Sequence, residues 1–510
     1  MATARTLGIA LRGLHGEIVD VEANILNSTP RLVLIGLPDA SLNEARDRVR
    51  SALQNAGAPL VARQVVINLS PAALPKHGPG FDLAIALSAA AVAEVIPSES
   101  ISSIVHIGEL ALDGRLRPVT GVLPAVHAAA QHGVARVVVP EGNRAEAELV
   151  PGITVETAVS LRELLVRYGA DIELIDNEPP LSGPREEAPK QPEEVDLADV
   201  LGQRDAIEAL ITAAAGGHHM LLLGPPGAGK TMLARRLPSI LPELTEVQAI
   251  EVASIASLAG NQIGRELSRT PPWEAPHHTA TAPALAGGGA GVIRPGAFAR
   301  AHHGVLFLDE APEFPRSVLD ALRQPIEHGS ITIHRANAVA TFPAQFQLVL
   351  AANPCPCGLW GGSSTECHCP PHQRRRYLAR MSGPLLDRID IQLWVPRSSI
   401  PVRDSVGEVS SADARALVEH ARQRACHRLR DTPWIRNADV TGSWLRSHAP
   451  KFASEGSELL DLAIRRGIVS MRGADRIARL AWTLADLAEH ATPTRDDIRR
   501  AILLRKGVAS

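Results

Sequence analysis

Hydrophobic and polar positions change rhythm along this chain. Through residues 1–175, short apolar runs at Leu32–Ile35, Val65–Leu69 and Val137–Val139 lie between Ala-rich stretches of helical spacing. That alternation predicts an α/β or α+β domain. From Asp176 the text becomes DNEPPLSGPREEAPKQPEE, rich in Pro and Glu and poor in large apolar residues. Such a segment cannot bury a core, so 176–196 reads as a solvated linker. Residues 197–395 carry a helical pattern, then apolar runs at Met220–Leu223 and Val305–Leu308 and a third inside FQLVLAAN, which ends at Asn353. Buried strands separated by helices predict a mostly parallel sheet covered on both faces. Residues 396–510 are helical in pattern almost throughout, as at Gly456–Arg466 and Ala474–Ala488.

Composition narrows the class. A chain of 510 residues is too long for one ordinary domain, and 45% hydrophobic residues exclude a disordered protein. The formal net charge of -3 gives no global basic field, so any contact with nucleic acid needs a local basic surface. The N-terminal MATARTLGIALRGLHG lacks the charged and apolar regions of a signal peptide. No run reaches the ~20 apolar residues of a membrane helix; the stretch Leu83–Ile96 is Ala-rich and interrupted by Glu94. The expectation is a cytoplasmic protein without membrane contact.

Chemistry concentrates at two motifs. Gly224-Pro225-Pro226-Gly227-Ala228-Gly229-Lys230-Thr231 follows an apolar strand and opens a helical pattern at Met232–Leu237, the context a P-loop requires. Its glycines let backbone amides turn towards phosphates at a helix N-terminus. Lys230 supplies charge to the β and γ phosphates, and Thr231 a hydroxyl for Mg²⁺. Downstream, an apolar strand ends in Asp309 and Glu310. Asp309 would hold Mg²⁺, and Glu310 would orient and polarise the attacking water. Asn353, at the end of the next strand, can reach that water or the γ-phosphate; a turn-forming Asn before Pro354 is the competing reading.

Four of the 5 cysteines crowd into Cys355-Pro-Cys357 and Cys367-His-Cys369. Four thiolates suit structural Zn²⁺, although one-residue gaps are tighter than usual and His368 and His372 are substitute ligands. Cys426 stands apart and reads as a buried thiol. Arg374-Arg375-Arg376 reads either as a phosphate contact or as a solvated face.

The text from His303 to Gly358 (HGVLFLDEAPEFPRSVLDALRQPIEHGSITIHRA, then FPAQFQLVLAANPCPCG), with SGPLLDRIDI, APHHTATAPALAGGG and RPG, resembles the YifB/ComM branch of magnesium-chelatase-like AAA+ ATPases over nearly the whole chain. Ala297 departs from it, standing where an acidic residue is expected. The resemblance implies a ring, a homo-hexamer, with ATP between subunits. It makes Arg388 the arginine finger and Arg472, or secondarily Arg476, the sensor arginine of a C-terminal helical lid. It implies that the segment around Pro276-His277-His278 and Gly287–Gly289 projects towards the ring pore; for the His pair, contact with a translocated strand and simple packing stay open.

Pro75-Lys-His-Gly-Pro-Gly80-Phe-Asp82 and the stretch from Gly108 to Gly121 resemble the proteolytic domain of Lon. The positions matching its Ser–Lys dyad hold Gly80 and Leu123, so the implied fold is Lon-like without peptidase activity. The expected fold is therefore α/β, with a Lon-like α+β domain, a P-loop AAA+ parallel-sheet core and a helical lid. The implied substrate is single-stranded or branched DNA, moved by branch migration during uptake of incoming DNA. A chelatase-type or protein-remodelling ATPase is the alternative.

Overall fold

The computed structural model describes residues 3–506 apart from 37–39, 61–62, 75, 77, 176–177, 182–194, 290–292, 336–337, 362–366, 398–408, 449–451, 453 and 468. Most of the expected linker (176–177 and 182–194), together with Pro75 and His77, lies outside the described residues.

The chain begins with a long antiparallel hairpin. β1 (Thr3–Arg12) and β2 (His15–Leu26) turn at Gly13, whose φ of 66° suits glycine. β3 (Arg31–Ile35), β4 (Gln64–Ser70) and β5 (Ile104–His106) follow, then a separate short hairpin of β6 (Glu109–Leu110) and β7 (Leu116–Arg117), then β8 (Arg136–Pro140) and β9 (Thr154–Ala158). The seven-stranded sheet runs β3-β4-β2-β1-β5-β8-β9. Only β2 opposes its neighbours; the remaining pairs are parallel. The Ala-rich stretch from Leu83 is the helix Asp82–Val92, buried at every position. Small side chains let it sit in the middle of this domain's core.

The second sheet joins β10 (Met220–Leu223), β11 (Trp273–Glu274), β14 (Val305–Leu308), β17 (Gln347–Ala352) and β18 (Ile391–Trp394), with two hairpins in the intervening chain. These are β12 (Gly287–Gly288) with β13 (Arg294–Pro295), and β15 (Ser330–Arg335) with β16 (Ala338–Pro343). The sheet order is β11-β14-β17-β10-β18, and every pair is parallel. All five strands therefore end on one edge, where ligands bind in such sheets.

The C-terminal region is helical. The helix expected at Ala474–Ala488 spans Met471–Leu487, because the Ser470 hydroxyl accepts from the Gly473 amide and caps it earlier. The helix Ser411–Leu429 buries Ala414, Val418, Ala421, Ala425 and Leu429. Cys426 sits one position off that stripe and is exposed, which corrects its reading as a buried thiol.

The N-terminal domain is seated on the second domain through the helix Glu246–Ala259. Ser257 accepts from the Gly121 amide at 3.1 Å and donates to Glu146 at 2.5 Å. A Cβ at Gly121 would lie 2.8 Å from Leu258, so the contact is close. Among the described residues no helix is long and apolar enough to cross a membrane.

Candidate functional site

The phosphate cradle forms where β10 runs out. Gly224 is forced by proximity: a Cβ there would lie 2.2 Å from the Val395 carbonyl oxygen. Gly227 and Gly229 adopt φ of 76° and 85°, which turns the loop into the helix Lys230–Ile240. Lys230 is buried and donates to the carbonyls of Gly224 at 2.7 Å and Pro225 at 3.0 Å and to Asn353 Oδ1 at 3.1 Å. Burial lowers its pKa, opposed by the charges of Asp309 and Glu310. The Thr231 hydroxyl donates to Asp309 Oδ2 at 2.7 Å. The Glu310 amide donates to Asp309 Oδ1 at 2.9 Å, and Glu310 itself has φ of 50°. Left-handed backbone at a non-glycine acid costs energy and commonly marks a functional turn. Lys230, Thr231, Asp309, Glu310 and Asn353 thus converge on one edge of the sheet.

Several neighbours were not singled out from sequence. Gln203 donates to the Ala228 carbonyl at 2.8 Å and Arg397 to the Pro226 carbonyl at 3.2 Å, so both brace the loop. Each lies in a short polar stretch outside any recognised motif, so neither carries a motif signal. His278, from the segment after β11, lies with Nδ1 3.2 Å from Glu310 Oε2, and its ring lies against His277 with centroids 4.1 Å apart. Of the histidine pair, His278 is therefore in contact with the expected catalytic acid, while His277 bonds to Thr279. Ala297, where an acid was expected, begins a short helix and is fully buried in the core.

The four clustered cysteines come together immediately after Asn353. Cys355 Sγ lies 3.3 Å from Cys357 Sγ and 3.7 Å from Cys367 Sγ; Cys357 and Cys367 are also 3.7 Å apart. Cys369 completes a group whose sulfurs all lie within 4.8 Å. Bonds of ~2.3 Å in a tetrahedron put sulfurs about 3.8 Å apart, so the set fits one Zn²⁺. His368 and His372 are exposed and outside the group. The cluster also touches the cradle: a Cβ at Gly358 would lie 2.7 Å from the Pro226 ring. Arg374 stacks over Trp360 at 5.0 Å, while Arg375 and Arg376 are exposed.

A second group, Glu251, His302 and His303, has ligand-like spacing. However, His302 Nδ1 accepts from the Gln345 amide at 3.0 Å, which leaves its proton on the nitrogen facing Glu251. A protonated nitrogen cannot ligate, so this is a hydrogen-bonded triad.

The arginines lie elsewhere. Arg388 precedes β18, at the amino edge of the sheet, where the Asp390 amide donates to His219 just ahead of β10. Its guanidinium pairs with Glu327. Burial, then the charges of Arg323, Arg476 and Arg472, lowers its pKa. Arg388, Arg472, Arg476 and Arg479 line one cavity of about 260 Å³ with Glu327, Asp387 and Asp475. Among the described residues, the contacts of Arg388 and Arg476 are with Glu327, Pro384, Asp390 and the Arg388 carbonyl, away from the phosphate cradle. In the N-terminal domain, Gly80 is half-buried, with open space where a side chain would project, and Leu123 is fully buried.

Comparison with known proteins places this geometry. Profiles described as magnesium chelatase, subunit ChlI, match residues 196–402; subunit ChlI of Mg-chelatase matches 21–143; and its C-terminal profile matches 408–505. The chain is 40% identical over 494 residues to the competence protein ComM of Haemophilus influenzae, covering 96% of this chain and 94% of that one. It is 38% identical over 499 residues to YifB of Escherichia coli, covering 97% and 96%. A stretch of 152 residues, 28% of this chain, is 30% identical to 19% of the Lon protease of Mycolicibacterium smegmatis.

Proposed function

The chain belongs to the magnesium-chelatase-like AAA+ ATPases, in the family of YifB and ComM, and from that premise we propose that it is a ring-forming motor that uses ATP to move DNA. One observation carries the ring: the phosphate cradle and the arginines occupy opposite edges of one parallel sheet. A cation that stabilises the transition state must then come from a neighbouring copy. We assign Arg388 as that finger and Arg472 as its companion from the lid, within a homo-hexamer.

The reaction follows from the residues on the carboxyl edge. The Lys230 ammonium leaves the Gly224 and Pro225 carbonyls for the β and γ phosphates of ATP. The Thr231 hydroxyl and Asp309 carboxylate, already hydrogen-bonded, would hold Mg²⁺, which neutralises phosphate charge. Glu310 orients the attacking water and takes up its proton, and Asn353 is freed by the movement of Lys230 to contact that water or the γ-phosphate. The Cys355, Cys357, Cys367 and Cys369 sulfurs would hold structural Zn²⁺ beside the cradle.

DNA is the substrate that the local charge supports. The β15–β16 hairpin carries His334 and Arg335 on exposed positions at its tip, and Arg335 lies close to Gly288 of the β12–β13 hairpin. Two adjacent hairpins with a basic tip suit a phosphate backbone. The name of the competence protein ComM points the same way. The N-terminal domain then serves assembly rather than proteolysis, and casein incubated with the pure protein stays intact. The decisive assay is ATPase rate with and without forked or four-way-junction DNA at two salt concentrations. Junction stimulation that falls at high salt supports the DNA motor. Basal hydrolysis unmoved by any DNA overturns it in favour of a protein substrate.

A further inference from the structure

The segment Arg388-Ile389-Asp390 is held from the lid. Arg476, on the helix Met471–Leu487, donates to the Arg388 carbonyl at 3.1 Å and pairs with Asp390. Arg505, on the last helix, donates to the Ile389 carbonyl. Asp390 is fully buried and is also 3.1 Å from His218 Nδ1, whose other nitrogen meets Thr483 of the same lid helix at 2.8 Å. Asn437 donates to Thr483 at 3.1 Å and to Asp486 at 2.9 Å. Burial raises the Asp390 carboxyl, but Arg476, His218 and Arg479 hold it far below the ordinary carboxylate range, so it stays a fixed anion. The backbone beneath Arg388 thus belongs mechanically to the lid, although its chain belongs to the core.

We propose that Arg476 is a positioning residue that sets the backbone of Arg388, so that lid movement in one subunit aims the finger into the next subunit's ATP site. This rests on the reading that Arg388 serves a neighbour. A buried ion pair that also grips a backbone carbonyl is costly to break, which suits it to transmit movement rather than absorb it. Arg476 touches neither nucleotide nor water in this role.

The test uses full-length chains mixed in pairs. Arg476→Ala should bind an ATP analogue with affinity within about twofold of wild type while kcat falls on the order of 10-fold or more. Glu310→Gln subunits have an inert site and an intact finger. Mixed one to one with Arg388→Ala subunits, they should restore about a quarter of wild-type activity, because each contributes the half the other lacks. Arg476→Ala should be restored by Glu310→Gln in the same way and not by Arg388→Ala. Recovery of Arg476→Ala with Arg388→Ala would mean that Arg476 acts on its own nucleotide, and overturns the proposal. Recovery with neither partner overturns it too. Should Arg476→Ala fail to assemble, Asp390→Asn, which keeps the shape and removes the anchoring charge, must give the same pattern. Failure of Arg388→Ala and Glu310→Gln to complement each other would instead sink the shared-site reading, independently of Arg476.

Discussion

The two edges of the second sheet are built from the same strands and carry opposite chemistry. At the carboxyl edge, Gly224–Thr231, Asp309, Glu310 and Asn353 converge within hydrogen-bonding reach. At the amino edge, Arg388 and the lid arginines crowd together with Glu327 and Asp390. β10 has only 4 residues, so the edges are about 13 Å apart at roughly 3.3 Å per residue. Neither edge can complete the other within one chain, because parallel strands send every carboxyl end the same way. In the proposed ring, cooperation between subunits would thus follow from topology before it follows from any interface.

The sharpest break in the comparison comes from the carboxyl edge. Lys230→Ala should abolish ATP binding and hydrolysis together, read by nucleotide titration. Glu310→Gln should bind ATP and hydrolyse it on the order of 10²-fold or more slowly. Wild-type turnover in that variant would mean that the attacking water is activated by some other group. A smaller effect should follow from the cysteines, which stand behind the cradle rather than in it. The purified chain should carry one zinc, measured by elemental analysis, and Cys355→Ser should lose it with a fall in kcat of about 10-fold. Full activity in metal-free protein would detach the cluster from catalysis. The smallest effect is expected at His278. Its removal should alter the basal rate by about two- to threefold, as for loss of one partly solvent-exposed side-chain contact. The ratio of DNA-stimulated to basal ATPase should then approach one, and an unchanged ratio would show that the His278–Glu310 contact carries no signal.

The carboxyl edge was legible because its chemistry sits in continuous text. Glycines, Lys230 and Thr231 occupy fixed spacings, and Asp309 and Asn353 each close an apolar strand. The amino edge was less so. Arg388, Arg472 and Arg476 could be named through resemblance, but the partners that define them (Glu327, Asp390 and the Arg388 carbonyl) are distant in sequence or in the backbone. The β15–β16 hairpin is harder to read: Ser330–Arg335 alternates polar and apolar residues, but no Asn-Gly or Asp-Gly pair follows it in the sequence. The β1–β2 hairpin was missed because its apolar positions include small Ala and Thr residues that do not read as a strand. Cys426 was misplaced by a single step of helical phase.

Gly80 and Leu123, the two positions that resemblance sets against the Lon dyad, differ in what a new side chain would meet. At Gly80 a side chain would meet nothing within 4 Å, so a serine could return there without disturbing a neighbour. Leu123 is sealed into the core, its amide faces Glu146 at 3.4 Å, and its helix begins at Gly121, locked to Ser257 of the motor. A lysine there would have to be buried beside the very joint that fastens the two domains. The two positions are therefore unequal as targets for redesign: a new side chain is accommodated at Gly80, whereas a charged one at Leu123 would strain the joint between the domains.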